Sequence, residues 1–293
     1  MYGSDESPLL KIGLPKGHMQ EAVFGLLADA GIPVRVGSRA YRPTIDYPGF
    51  EAKILKPQNI VEMVHLGSRD LGFAGADWVA ELDLDGELVE LLDTGLDPVQ
   101  VVAAAPASLV KGGQLVGGGL LVASEYERLT RTWIEESDLD ANFVRSYGAT
   151  EVFPPEDADC IVDNTATGST LRANGLRIVA TLMESSTRLY AHPSVMEDPA
   201  RSAAVERFVL LLRSVLEARK RVMVEVNVSP EVMEAVVEIL PCMREPTLAP
   251  LHGEEGFAVK AAVPRELLPL VIPEIKARGG TDVVVTPISQ IVP

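Results

Sequence analysis

With 293 residues, 47% of them hydrophobic and 23% charged, the chain is long enough for two or three packed domains. Its 26 Lys and Arg against 42 Asp and Glu give a formal charge of −16, which excludes general nucleic-acid binding but leaves room for a small polyanion in a local basic pocket. Cys160 and Cys242 suggest neither a disulfide framework nor a zinc site. No apolar run reaches the ~18 residues of a membrane span, and the acidic start MYGSDESPLL does not read as a signal peptide, so a cytoplasmic protein with no membrane partner is expected.

Apolar bursts alternating with amphipathic stretches predict an α/β fold. Leu9–Leu14 reads as a buried strand, and residues 18–30 as a helix stopped by Gly31. Ala52–Leu55 is a strand, and Asn59 with Glu62 forms a capping box for a helix through Leu66. Leu71–Ala74 and Leu88–Leu92 read as short strands around a helix starting near Asp77, followed by a strand over Val99–Ala105. Gly112, Gly113, Gly117, Gly118 and Gly119 read as a crossover into a second lobe. That lobe has strands Leu120–Ala123, Phe143–Arg145 and Cys160–Val162 and a helix over Tyr126–Glu136. Leu176–Tyr190 reads as two strands returning to the first lobe, and Ala203–Arg219 as a long helix. The lobes are thus 1–107 with 190–220, and 108–189. The pattern restarts at strand Val222–Val228. Helix Pro230–Leu240 capped by Ser229, strands Thr247–Leu251 and Phe257–Val263, helix Glu266–Arg278 and strand Asp282–Thr286 complete a ferredoxin-like βαββαβ domain over 221–293.

The most informative stretch is DCIVDNTATGSTLRANGL, residues 159–176. A strand, an acid and a turn of small residues with exposed N–H groups make an anion nest, to which a helix beginning near Thr170 adds its positive end. Thr167, Ser169 and Thr170 offer hydroxyl donors, Gly168 permits a positive φ and a close phosphate, and Asp163 is placed to bond a sugar hydroxyl. No Walker lysine follows, so this is no nucleoside-triphosphatase loop. The plain alternative is a polar turn with a helix cap.

Acid, small residues and Thr-Gly-Ser-Thr at a strand end resemble the ribose-5-phosphate loop of phosphoribosyltransferases. The longer stretch IVDNTATGSTLRANGLRIV resembles the ATP phosphoribosyltransferase family of histidine biosynthesis. KIGLPKGHMQEA (11–22) is similar to that family's first strand and loop, GSRDLGFAGADWVAE (67–81) to its aspartate-glycine segment, and LPCMREPTLAPL (240–251) to the regulatory domain of its long form. The resemblance implies a two-lobed catalytic part of periplasmic-binding type plus the regulatory domain. It further implies phosphoribosyl transfer from phosphoribosyl pyrophosphate to N1 of ATP with release of pyrophosphate, Mg²⁺ as cofactor, a hexamer, and histidine as feedback inhibitor.

Such a reaction builds oxocarbenium character at the anomeric carbon, so positioning and electrostatics should dominate. Asp163, Thr165, Ala166, Thr167, Gly168, Ser169 and Thr170 are the candidate phosphoribosyl site. Lys16, Gly17, Arg39, Arg42, Lys56, Asp70, Gly75 and Asp77 are candidates for nucleotide or pyrophosphate, with Asp77 equally readable as a helix cap. Met243 and Thr247 fall on the effector segment, where Cys242 stands in place of the family's usual Gly; no side-chain metal ligand is assigned. His18 could reach a phosphate but has a plainer role as helix start, and His65, His192 and His252 show no metal-ligand spacing. A ligand-binding module without chemistry and a silent regulatory paralogue are the competing readings. Catalytic turnover separates them from the enzyme.

Overall fold

The computed structural model describes residues 9–37, 41–253 and 256–292. It divides into two compact units, the division falling after Val205, with Leu26–Gly31 grouped with the second.

In the first unit β1 (Leu10–Pro15) leads to α1 (Met19–Asp29), the short pair β2 (Val34–Arg35) and β3 (Thr44–Ile45), β4 (Phe50–Leu55), α2 (Pro57–His65), β5 (Leu71–Gly75) and α3 (Ala76–Glu81). The 18-residue β6 (Val89–Pro106) follows, then the hairpin β7 (Val110–Lys111) and β8 (Gln114–Leu115), β9 (Leu120–Ser124) and α4 (Glu127–Glu136). After β10 (Ala141–Arg145), β11 (Cys160–Thr165) and α5 (Ser169–Ala173) comes the 16-residue β12 (Leu176–Ala191). Helix α6 (Pro193–Glu197) follows, and α7 (Pro199–Arg219) begins in this unit and runs past Val205 into the second.

One sheet orders these strands β10-β9-β11-β6-β12-β5-β1-β4. β4, β1 and β5 are mutually parallel, as are β10, β9 and β11, while β6 and β12 pair antiparallel between the two sets. Each parallel set with its helices is a lobe, and the two long strands run through both, which is the two-lobed periplasmic-binding arrangement. Central parallel strands covered on both faces must be almost wholly apolar. β5 (LGFAG) is accordingly buried throughout, and β1 (LKIGLP) at all but Lys11. Alternate residues of β6 feed two cores: Val101 and Ala103 pack with Tyr126, Cys160 and Val162, and Val102 and Ala104 with Ile161, Leu171 and Leu176.

The second unit holds β13 (Arg221–Val228), α8 (Met233–Val237), β14 (Thr247–Pro250), β15 (Phe257–Pro264), α9 (Leu268–Ala277) and β16 (Thr281–Pro287). Its antiparallel sheet, ordered β14-β15-β13-β16, has the ferredoxin-like topology. Val222, Val224, Val226 and Val228 alternate inward against Val236, Leu240, Val271 and Ile275.

Several expectations change. Gly112 and Gly113 turn the β7–β8 hairpin, and the lobes are joined by β6 and β12 instead. Leu88–Leu92 and Val99–Ala105 are not separate strands. All but Leu88 belong to β6, which continues through Asp97, at φ 46°, and Pro98 by register shifts against β12. β12 is likewise one strand, not two. Asn59 does not cap α2: Pro57 takes the first turn and holds Lys56 extended as the cap residue, so Asn59 lies inside and its amide bonds Glu62 at 3.3 Å. The Pro230–Leu240 helix shrinks to Met233–Val237, preceded by a turn in which the Val232 N–H bonds the Ser229 carbonyl.

Candidate functional site

Lys56, Lys16 with Gly17, and Gly75 all fall at the carboxyl ends of the neighbouring parallel strands β4, β1 and β5, where α/β sheets place their ligands. Tyr41 joins this corner. Its carbonyl accepts the Ile54 N–H at 3.0 Å, and its hydroxyl accepts from Lys16 Nζ at 3.2 Å. Lys16, Arg42 and Lys56 are exposed; Arg39 lies outside the described residues. From the other lobe, Thr165 ends β11 opposite Gln100, Gln100 pairs with Glu184, and Thr187 pairs with Gly75. The strand ends of both lobes therefore face each other across the middle of β6 and β12.

Cavities open at that crossing. One of about 520 Å³ is bordered by Asp93, Val99, Glu184, Ser186 and Arg188. Another, of about 320 Å³, lies between His18, Glu151, Asp163 and the hydroxyl turn. Ala166 borders both.

The turn is built on Gly168, at φ 69° in the left-handed region, which precedes the five-residue α5. Thr165 Oγ1 accepts the Gly168 N–H at 2.9 Å, and Thr167 Oγ1 donates to Ser169 Oγ at 3.0 Å. The Gly168 amide is thus spent inside the turn, as is the Ser169 amide, which donates to Thr167 Oγ1 at 3.4 Å, while Ala166, Thr167, Ser169 and Thr170 are exposed at the cavity's lip. Asp163 is half-buried beside them and accepts the Asn164 N–H at 2.8 Å. Burial pushes its carboxyl up to about 6; the Asn164 amide opposes the rise, and the nearby Glu151 and Glu125 add to it.

Two of the candidate acids are engaged by bonds inside the protein. Asp70 precedes β5, at the end of the strand opposite Gly75. It is buried in an ion pair with Arg201 and accepts the Lys11 N–H at 2.6 Å. Asp70→Ala is expected to cost about 2–3 kcal/mol in urea unfolding while leaving both substrate KM values unchanged. Asp77 is not the cap of α3, a place taken by Gly75 in extended conformation; it sits one residue into the helix. Its buried carboxylate receives Ser185 Oγ on Oδ1 and the Tyr126 hydroxyl on Oδ2, both at 2.6 Å. A Cβ on residue 75 would lie 2.1 Å from Asp77 Oδ1, so this arrangement requires Gly75.

Sequence reasoning missed Tyr126, Asn164, Ser185 and Ser186, which only the long strands and lobe packing bring together. Tyr126 stands at the cap of α4, and its ring stacks on Trp78, 4.6 Å between centroids, at the meeting of the lobes. Nearby, Glu81 at the end of α3 accepts the Arg128 and Leu129 N–H groups at the start of α4, both at 3.1 Å, and its carboxyl is raised by burial.

In the second unit Met243 and Thr247 border a cavity of about 630 Å³ with Cys242, Arg244, Glu245 and Lys260. Cys242 donates its N–H to the Leu240 carbonyl at 2.8 Å without a positive φ, so the turn accommodates its side chain, which packs on the domain core.

A family model described as ATP phosphoribosyltransferase matches residues 56–214, and one described as HisG, C-terminal domain matches 218–290. The ATP phosphoribosyltransferase of Pelotomaculum thermopropionicum is 35% identical over 97% of this chain and 99% of its own length. That of Chlorobium luteolum is 35% identical over 96% of each. Among solved structures, an ATP phosphoribosyl transferase (HisG:HisZ) complex from Thermotoga maritima superposes with a TM-score of 0.62 at 24% identity. It covers 71% of this chain and 99% of that one, a likeness of fold. The chain belongs to the ATP phosphoribosyltransferase family, in the long form that carries the additional C-terminal domain.

Proposed function

We propose that this pentosyltransferase of histidine biosynthesis joins the anomeric carbon of phosphoribosyl pyrophosphate to N1 of ATP, releasing pyrophosphate, at the crossing of β6 and β12. The observation that carries this reading is the hydroxyl turn Thr165–Thr170 opening onto a cavity that also holds Asp163 and faces the Lys16 loop through His18. The exposed residues Thr167, Ser169 and Thr170 hold the 5-phosphate through their hydroxyls and backbone N–H groups, the Ser169 N–H exchanging its bond to Thr167 Oγ1 for one to the phosphate, and Asp163 accepts from the ribose hydroxyls. Lys16, Gly17, Arg42 and Lys56, at the opposing strand ends, take the polyphosphate groups. Gly75 and Asp77 border a small cavity beside His18 and shape this side of the site. Excluding water and holding the purine in line are the chain's main contributions to rate.

Among the described residues no cluster of three or more His, Cys, Asp or Glu is arranged to hold a metal ion. Mg²⁺ commonly keeps several waters and binds through one or two carboxylates together with substrate phosphates, and the neighbouring Asp163 and Glu151 fit that mode. Bound with the diphosphate, Mg²⁺ supplies charge neutralisation of the leaving group. With these substrates the place of work is the cytoplasm. Among the described residues no helix is long and apolar enough to cross a membrane.

Purified protein given ATP, phosphoribosyl pyrophosphate and Mg²⁺ is expected to form phosphoribosyl-ATP; folded protein without turnover would reject the reading. The charged and polar lining of the C-terminal cavity suits the carboxylate and ammonium of an amino acid, and we assign it to histidine as feedback inhibitor, acting within a hexamer. Histidine should inhibit turnover, and Thr247→Arg, which intrudes into the cavity with a bulky charged side chain, should relieve that inhibition. Undiminished inhibition would place the effector elsewhere.

A further inference from the structure

Strand β11 alternates cleanly. Cys160 and Val162 face the core that contains Tyr126, whereas Ile161 faces the opposite core. Asn164 continues the first face, where periodicity calls for an apolar residue. A polar side chain there needs a partner, and Asn164 has one: its Nδ2 donates to the Tyr126 hydroxyl at 2.8 Å. That hydroxyl carries a single proton, which it gives to Asp77 Oδ2 at 2.6 Å. Burial and the Asp77 charge hold the phenol well above its usual range, so the proton stays in place. Asp77 is itself held from its other side. Ser185 Oγ donates to its other oxygen at 2.6 Å and accepts its N–H at 3.0 Å.

The chain of bonds runs from the start of α3 in one lobe, through a phenol that is 1% exposed, to the last strand residues before the hydroxyl turn in the other. We propose that Asn164 is a positioning residue for the phosphoribosyl turn: through Tyr126 and the fixed Asp77 carboxylate it holds Thr165–Thr170 in register with the opposing lobe. The proposal rests on the assignment of that turn to the sugar phosphate. Tyr126 orients Asn164 as well as anchoring it. Because the phenolic proton is committed to Asp77, only the NH₂ side of the amide can meet the hydroxyl, and a carboxylate at residue 164 would compete for that proton.

The test is steady-state kinetics on the full chain carrying Asn164→Leu, with each substrate varied in turn and thermal melts alongside. A displaced turn should raise KM for phosphoribosyl pyrophosphate about tenfold or more, since errors of about 1 Å in positioning are costly. KM for ATP should stay within about twofold, and the melt within a few degrees. Asn164→Asp, of the same size, should reproduce the rise, and it serves as the second variant where leucine folds poorly. Tyr126→Phe should raise the same KM, and the double variant Asn164→Leu/Tyr126→Phe should be no worse than the poorer single one, because both cut the same link. An unchanged KM for phosphoribosyl pyrophosphate in both Asn164 variants would overturn the proposal. So would equal rises in both KM values, or additive effects in the double variant. Wild-type protein, run in parallel, reports on the enzymatic reading separately: its turnover with failed variant effects sinks only this inference. Absence of turnover in wild type, with phosphoribosyl pyrophosphate binding by calorimetry unaffected by Asn164→Leu, sinks both.

Discussion

Gly168→Asp is expected to weaken binding of phosphoribosyl pyrophosphate on the order of 100-fold or more, nearly 3 kcal/mol, with the fold retained. Two effects add. Gly168 sits at φ 69°, a region where any residue with a Cβ pays about 1 kcal/mol or more. The new side chain would start 3.0 Å from Arg172 Nη1 and 3.6 Å from Ile178 Cδ1, on the buried side of the turn, and seating a carboxylate there would shift the flanking residues that receive the phosphate. Gly168→Ala separates the two contributions. Its Cβ would lie 3.0 Å from Arg172 Nη1, the far end of a flexible side chain that can yield, so only the backbone cost remains and the loss should be about tenfold or less. Calorimetric titration of each variant with the sugar, checked against its thermal melt, gives the answer. Equal affinities for wild type and Gly168→Asp would remove the turn from the site.

Asp163→Asn should divide function from stability. Accepting from ribose hydroxyls as a carboxylate contributes about 1.5–3 kcal/mol, so kcat/KM should fall by about 10- to 100-fold. The unliganded fold should gain. The carboxyl moves from its usual 3.8 to about 6 on folding, chiefly through burial. A raised carboxyl favours the folded state fully below 3.8, and that benefit is lost as pH rises through about 6, so at neutral pH the ionised group is a burden. Removing it should stabilise the protein on the order of 2 kcal/mol above pH 6, about 5 °C in Tm, and by almost nothing near pH 3.5. Denaturant titrations of wild type and variant at pH 3.5, 5 and 7.5 check the sign as well as the size. A variant less stable at pH 7.5 would mean that Asp163 is structural.

Much of this was legible in the sequence for simple reasons. The parallel strands β1 and β5 are continuous apolar runs, β13 alternates strictly, and the hydroxyl turn follows a strand directly. The centre of the molecule was not legible. Asp93-Thr94-Gly95 and Asp97-Pro98 lie between the two strands expected at Leu88–Leu92 and Val99–Ala105, yet β6 passes through them because bulges absorb their backbone angles while β12 keeps the pairing. Asp70 and Asp77 looked alike in one segment; only the direction of β5 tells which lies at the carboxyl end. Tyr126 and Ser185 carry no local signal, since their meaning comes from Asp77, which is 49 and 108 residues away respectively.

The central claim is that the sugar phosphate is gripped by the turn around Gly168. A crystal structure of the protein with phosphoribosyl pyrophosphate and Mg²⁺ tests it most directly. The 5-phosphate should lie within hydrogen-bond distance of the Thr167, Ser169 and Thr170 amides or hydroxyls, with the ribose against Asp163. A sugar bound by Lys16, Arg42 and Lys56 alone, with the turn vacant, would contradict the account.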